Sequence, residues 1–246
     1  MATPSAAPLP RVFAAVDTPD VEAAKRLAAQ IALPDLGIKL GLEFFGANGA
    51  AGVRAVSSAT SAPIFLDLKF HDIPNTVAGV VRTVVPLRPS IINVHAGGGP
   101  AMMRAAADAA AEAAAKLGVP RPRVLAVTVL TSLDESDLEA VGQCTPVAEQ
   151  VVRLAALAQQ CGMDGVVCSA REIAPIRERC GDDFLLVVPG IRPAGGELGD
   201  QKRTMTPAEA VSAGATSLVV GRPITKAKDP AAAARAIVEE AAATRV

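Results

Sequence analysis

Two carboxylates and an ammonium fall close together in the run Phe65-Leu66-Asp67-Leu68-Lys69-Phe70-His71-Asp72-Ile73-Pro74-Asn75-Thr76. Side chains alternate along a β-strand, so Asp67 and Lys69 share one face while Leu66 and Leu68 share the other. Asp72 falls past the strand, in a loop that Pro74 keeps from being helical at Ile73. Charges are costly to bury unless they are paired, and packing alone does not call for this many. An ammonium fixed between carboxylates can deliver a proton and can stabilise negative charge that develops beside it. A parallel barrel strand that ends in such residues ends in an active site.

Other strand ends add candidates. Asp17, Lys39, Asn93 with His95, Thr131 with Ser132, Arg192, and Gly221 with Arg222 each follow an apolar run. Some have plain structural uses: Asp17 could cap the next helix, and His95 could be a hydrogen-bonded structural residue. Gly97-Gly98-Gly99 before Pro100 reads as a tight turn into a helix. Arg192 and Gly221-Arg222 follow the last two strands, the common phosphate position of a barrel. A glycine admits a ligand to the backbone, and guanidinium groups grip phosphate oxygens in pairs. The segment between Arg192 and Thr206 carries three glycines and no apolar periodicity. It reads as a lid that closes on phosphate and carries Gln201 to the ligand.

The elements that would position these residues are eight β-rich runs alternating with helical patterns. The runs are Val12 to Val16, Gly37 to Leu40, Ile64 to Leu68, Ile91 to Val94, Val124 to Val129, Gly165 to Cys168, Phe184 to Val188 and Ser217 to Val220. Most are continuously apolar, as strands covered on both faces are. Thr18-Pro19 and Thr145-Pro146 place a capping hydroxyl before a first-turn proline. Thr206 and Glu209 form a capping box. Gly162, Gly181 and Gly214 are suited to end helices. Val147, Val151, Leu154 and Leu157 form one helical stripe. Eight βα units with right-handed crossovers predict an α/β chain folded as a single (β/α)8 TIM barrel over residues 11–246, after a flexible tail at 1–10. An open doubly wound sheet fits less well, since the first strand lacks a GxGxxG turn and the candidate groups are spread over many strand ends.

The bulk composition agrees. Half of the 246 residues are apolar, with six Phe and neither Trp nor Tyr, so the core is aliphatic. A net charge of −1 gives no reason to expect nucleic acid or an anionic membrane. No run is long enough to span a bilayer, and the first ten residues lack the pattern of a signal peptide. The four cysteines show no CxxC spacing and read as reduced, buried thiols of a cytoplasmic protein.

The segment from Asp67 to Thr76 resembles the DxKxxDIPNT signature of the orotidine 5′-phosphate decarboxylases in their bacterial form. Asn93-Val94-His95-Ala96, Val127 to Ser132, Asp164 to Ser169, Pro189 to Pro193, Gly199-Asp200-Gln201 and Gly221-Arg222-Pro223 extend the resemblance over nearly the whole chain. It implies a (β/α)8 homodimer with shared active sites. The implied reaction converts orotidine 5′-phosphate to uridine 5′-phosphate (UMP) and carbon dioxide, the last step of de novo pyrimidine nucleotide synthesis, with no cofactor and no metal. On that resemblance Lys69 donates the proton and Asp67 lies beside the substrate carboxylate. Lys39 connects Asp67 to the ribose, while Asp72 and Thr76 reach the second subunit's site. Asp17 binds ribose hydroxyls, and Thr131 with Ser132 lies by the pyrimidine. Arg192, Gln201, Gly221 and Arg222 hold the phosphate.

Three other readings compete. A Schiff-base aldolase needs a neutral lysine, which flanking aspartates oppose. The Mg²⁺-dependent sugar-phosphate decarboxylases and aldolases of the same suprafamily share DxKxxD, but their second strand offers a carboxylate where Lys39 stands here, and Mg²⁺ takes oxygen ligands. A nucleotide-sensing barrel would keep the arginines and have no use for the Asp-Lys-Asp cluster.

Overall fold

The computed structural model describes residues 7–193 and 205–243. Its strands are β1 (Val12–Ala15), β2 (Leu36–Gly41), β3 (Ile64–Phe70), β4 (Ile91–His95), β5 (Arg123–Val127), β6 (Gly165–Val167), β7 (Leu185–Pro189) and β8 (Ser217–Val220). All pair in parallel in chain order, and β8 closes onto β1. The helices are α1 (Val21–Gln30), α2 (Leu42–Ala59), α3 (Pro74–Val84), α4 (Gly99–Leu117), α5 (Glu135–Ala140), α6 (Val147–Gln160), α7 (Ile173–Cys180), α8 (Pro207–Ser212), α9 (Arg222–Thr225) and α10 (Pro230–Ala242). The chain is therefore the expected (β/α)8 barrel.

Alternation along the strands divides the core in two. Val12, Ala14, Ile38, Leu40, Leu66, Ile92, Val94, Leu218 and Val220 face outward into the layer beneath the helices. Phe13, Ala15, Phe65, Ile91, Leu125, Val187 and Val219 fill the barrel itself. The rings of Phe13 and Phe65 meet edge to face at 5.7 Å. Gly37 makes room for this pair, because a Cβ there would overlap the Phe13 ring. The aromatic plug closes the barrel under its C-terminal mouth, which leaves the open end for polar groups. At the other end Leu9 packs against the interior cluster, and the Ser217 hydroxyl donates to the Pro10 carbonyl at 2.7 Å.

Several local expectations are corrected. Helix α1 is capped by Asp20, not by Thr18: its carboxylate accepts from the N–H groups of Glu22 (2.8 Å) and Ala23 (3.0 Å). Helix α6 begins after Pro146, and its first N–H, from Val147, donates to the Glu135 carboxylate at 3.0 Å instead of to Thr145. Strand β5 ends at Val127, two residues early, while β3 runs on to include Lys69 and Phe70. The Thr206–Glu209 capping box forms as expected. Gly162, Gly181 and Gly214 take φ of +77°, +79° and +108° at their helix ends. Cys161, Cys168 and Cys180 are buried free thiols, whereas Cys144 is exposed. No helix among the described residues is long and apolar enough to cross a membrane.

Candidate active site

Inward-facing positions at the ends of the first three strands bring four charges into a line. Asp17 follows β1 and accepts from the Lys39 ammonium of β2 at 3.2 Å, so it does not cap α1. The same ammonium lies 3.3 Å from Asp67 Oδ2 on β3. The other carboxylate oxygen, Oδ1, accepts from Lys69 Nζ at 2.6 Å. Signs alternate along Asp17, Lys39, Asp67 and Lys69, so the two buried charges, Lys39 and Asp67, each have opposite neighbours, while Asp17 is exposed and Lys69 partly buried. Gly41 is a condition of this packing: a Cβ there would sit 2.9 Å from Asp17 Oδ1 and 3.1 Å from Lys39 Nζ.

Asp67 and Lys39 are only 8% and 7% exposed. Burial pushes the Asp67 carboxyl up, but the charges of Lys39 and Lys69 outweigh it. Aided by hydrogen bonds from Lys69 and Asn93, they hold the group below the usual aspartate range. Asn93, wholly buried on β4, donates from Nδ2 to Asp67 Oδ1 at 2.7 Å and accepts the Lys69 backbone N–H at 2.8 Å. Lys69 itself has φ of +50°, a left-handed conformation that costs a non-glycine residue about 1–2 kcal/mol.

A cavity of about 350 Å³ opens over this line. Asp17, Lys39, Asp67 and Lys69 form one part of its wall, and Arg192, Gly221 and Arg222 form another. Val127, Val129, Val167 and Pro189 supply apolar lining, with Thr131 at the rim. Its size and its mixture of apolar lining with convergent polar groups suit a small-molecule ligand. Arg192 is buried, and its guanidinium is held below the usual arginine range by burial and by the charge of Arg222. Two guanidiniums set against one another at a cavity wall favour an anion between them.

Other expected residues lie elsewhere. Ser132 is exposed and stands off the cavity wall. Asp72 is exposed in the β3–α3 loop, where its carboxylate accepts the Ile73 N–H at 2.6 Å, and Thr76 is exposed on α3. Neither joins the Lys69 cluster within one chain. Gln201 and the expected lid fall outside the described residues. The Gly97–Gly99 run makes a turn into α4, as expected. His95 packs its ring 5.3 Å from that of His71, and burial, His71 and Lys69 all depress its pKa, which favours the neutral imidazole.

Residues 10–237 match the model of the orotidine 5′-phosphate decarboxylase / HUMPS family. The chain belongs to that family. It is similar to orotidine 5′-phosphate decarboxylase of Rhodospirillum rubrum, with 57% identity over 229 residues and 93% of each chain covered. It is also similar to the protein of the same name from Moorella thermoacetica, with 54% identity over 94% of this chain and 91% of the relative. Among solved structures, orotidine 5′-phosphate decarboxylase from Lactobacillus acidophilus superposes with a TM-score of 0.81 at 39% identity, covering 94% of this chain and 98% of that one.

Within this family frame, the bridge made by Asn93 was not read from the sequence, although the residue was noted at its strand end. A signal existed: Asn93 is the lone polar position in Ile91-Ile92-Asn93-Val94, and it faces inward one strand from Asp67. The lining role of Val127, Val167 and Pro189 was likewise not read, because an inward valine at a strand end is indistinguishable by type from a core valine.

Proposed function

We propose that the chain decarboxylates orotidine 5′-phosphate to uridine 5′-phosphate and carbon dioxide, the closing step of pyrimidine nucleotide synthesis, with Lys69 as proton donor. The activity is that of a carboxy-lyase. The observation that carries the assignment of roles is the alternating line Asp17–Lys39–Asp67–Lys69 along one wall of a cavity whose other wall holds Arg192 and Arg222.

The chemistry suits these groups. The bond from C6 to the carboxylate breaks, its electron pair stays on C6 in the plane of the ring, and carbon dioxide leaves. The ring cannot delocalise that pair, so stabilisation must come from outside it. The Lys69 ammonium, held 2.6 Å from Asp67 Oδ1, offers a nearby positive charge and then transfers a proton to C6. Asp67, kept ionised by its donors, lies beside the substrate carboxylate, and that repulsion is relieved as carbon dioxide departs. Slow uncatalysed reactions of this class demand barrier reductions approaching roughly 20 kcal/mol. One lysine does not supply that, and binding of the remote phosphate by Arg192, Gln201, Gly221 and Arg222 is the additional source. Asp17 and Lys39 take the ribose hydroxyls, and Thr131, which lines the cavity, takes the pyrimidine.

Residues 11–246 form the single catalytic domain behind a short tail, in a cytoplasmic enzyme with neither nucleic-acid nor membrane partners. It works as a homodimer in which Asp72 and Thr76 complete the site of a second copy. The exposure of both residues, and of Ile73 at 67%, supports that reading. The Mg²⁺-dependent alternative is disfavoured by the donor set, because Lys39 puts an ammonium between Asp17 and Asp67 where a divalent ion needs oxygens. The test is loss of orotidine 5′-phosphate absorbance in excess EDTA with uridine 5′-phosphate identified as product. Sustained turnover is the expected result; turnover only after Mg²⁺ is restored would overturn the reading. Mixing Lys69→Ala with Asp72→Ala protein tests the shared site, and mixed dimers that regain no activity would contradict it.

A further inference from the structure

The structure assigns a positioning role to Asn93: its side chain fixes both the Asp67 carboxylate and the backbone of Lys69, and so sets the geometry from which the proton is delivered. The inference rests on the reading of Lys69 as proton donor and extends it to a residue outside that set.

The β3–β4 ladder is regular at Phe65↔Ile91 and Leu66↔Ile92, then resumes only at Phe70↔Val94. Over this interval β3 advances four residues while β4 advances two, so Asp67, Leu68 and Lys69 bulge past Asn93. A bulge takes backbone groups out of ladder pairing, and buried N–H groups require an acceptor. Asn93 Oδ1 is that acceptor for Lys69 at 2.8 Å. The other end of the same amide donates to Asp67 Oδ1 at 2.7 Å, the oxygen that also receives Lys69 Nζ at 2.6 Å. One planar group therefore spans the backbone of the donor and the carboxylate that orients its ammonium. It also supports the φ of +50° at Lys69, a conformation that persists only where surroundings over-determine it.

Residue type matters at this position. Serine is too short to reach both groups, glutamine adds a methylene in a fully buried slot, and aspartate matches in size but lacks the donor and sets a second carboxylate against Asp67. Among the described residues, the remaining charged and titratable neighbours of Asp67 are Lys39 from β2, Lys69 from β3 and His95 from β4. None of them offers both an acceptor for the Lys69 N–H and a donor to Asp67 Oδ1, as the Asn93 amide does. Asn93 does not line the cavity, so its action runs through Asp67 and Lys69.

The experiment compares parent, Asn93→Ala and Asn93→Asp enzymes by steady-state decarboxylation across pH, with UMP affinity and thermal unfolding measured on the same samples. Asn93→Ala should lower kcat by roughly 10- to 200-fold, the range for losing a hydrogen bond to a charged group. KM and UMP affinity should stay within about threefold. The acid limb of the kcat profile should move to higher pH, because Asp67 loses a donor that favours its ionised form. Asn93→Asp, which keeps the size and the acceptor for Lys69, should move the limb further in the same direction; it carries the test if the alanine variant does not fold. A folded variant with kcat within threefold of the parent and an unmoved acid limb would overturn the inference. A lowered melting temperature with kcat per folded site unchanged would do the same, since it marks a role in stability alone. Parent turnover reports separately on the proposed function, and the ratio of variant to parent reports on Asn93.

Discussion

The two ends of the barrel handle buried charge differently. At the C-terminal mouth, Asp17, Lys39, Asp67 and Lys69 are satisfied chiefly by one another, and the line borders a cavity. At the opposite end, Arg177 of α7 is satisfied by backbone. Its Nη1 donates to the carbonyls of Gly181, Asp182 and Phe184, Nε and Nη2 donate to the carbonyl of Gly214, and Nη2 also reaches the Thr216 hydroxyl. That guanidinium ties the turn before β7 to the turn before β8 and has its donors committed. Arg121 and Asp164 form a second closed set there, with Asp164 also accepting the Val124 N–H at 2.6 Å. Partial burial of a charge is thus no mark of function in this molecule. What separates the ends is whether the charge is closed off by the chain's own dipoles or left facing a space that a ligand can enter.

The comparison can be tested by substitutions at each end. Lys69→Ala should reduce kcat by about 10⁴-fold or more while the protein stays folded and UMP binding remains measurable. Near-normal turnover would remove Lys69 from the chemistry. Arg177→Ala should do the reverse, lowering unfolding stability by about 3 kcal/mol in denaturant titrations while kcat per folded molecule stays within twofold. Lost activity at unchanged stability would erase the distinction between the ends. Arg222→Ala should weaken UMP binding by roughly 30-fold in calorimetry and leave uridine binding unaltered. Equal losses for both ligands would contradict a phosphate contact.

The smallest expected effect is on acid stability. The Asp67 carboxyl is depressed below the ordinary aspartate value of 3.8, so its contribution is present above that pH and is lost as pH falls through the lower folded value. Unfolding measured from about pH 5 downward should show this added slope in the parent and its absence in Asp67→Asn. Superimposable slopes would mean that the line of charges at the mouth contributes nothing to acid stability.

Much of the fold was legible because barrel strands are covered on both faces and so read as short apolar runs. All eight were located, and the errors fell at their ends. The cap of α1 was misplaced because several residues near Thr18 could cap, and the backbone conformation of Asp20 decides among them. The cap of α6 could not be read locally, since Glu135 approaches from the preceding helix. Asp67 and Lys69 were legible from their alternation within one strand. The lining role of Val127 was not, because its type also suits a core.

The sequence by itself determined that this chain builds a (β/α)8 barrel and that Asp17, Lys39, Asp67, Lys69, Arg192 and Arg222 stand at its strand ends, because periodicity and residue type are local properties. The tertiary structure alone decided which charges meet. Lys39 sits between carboxylates from two other strands, Gly41 leaves room for that contact, and Lys69 turns left-handed against Asn93 across a shifted register. Those relations arise only when the sheet closes, since closure fixes the distances between residues that the chain holds far apart.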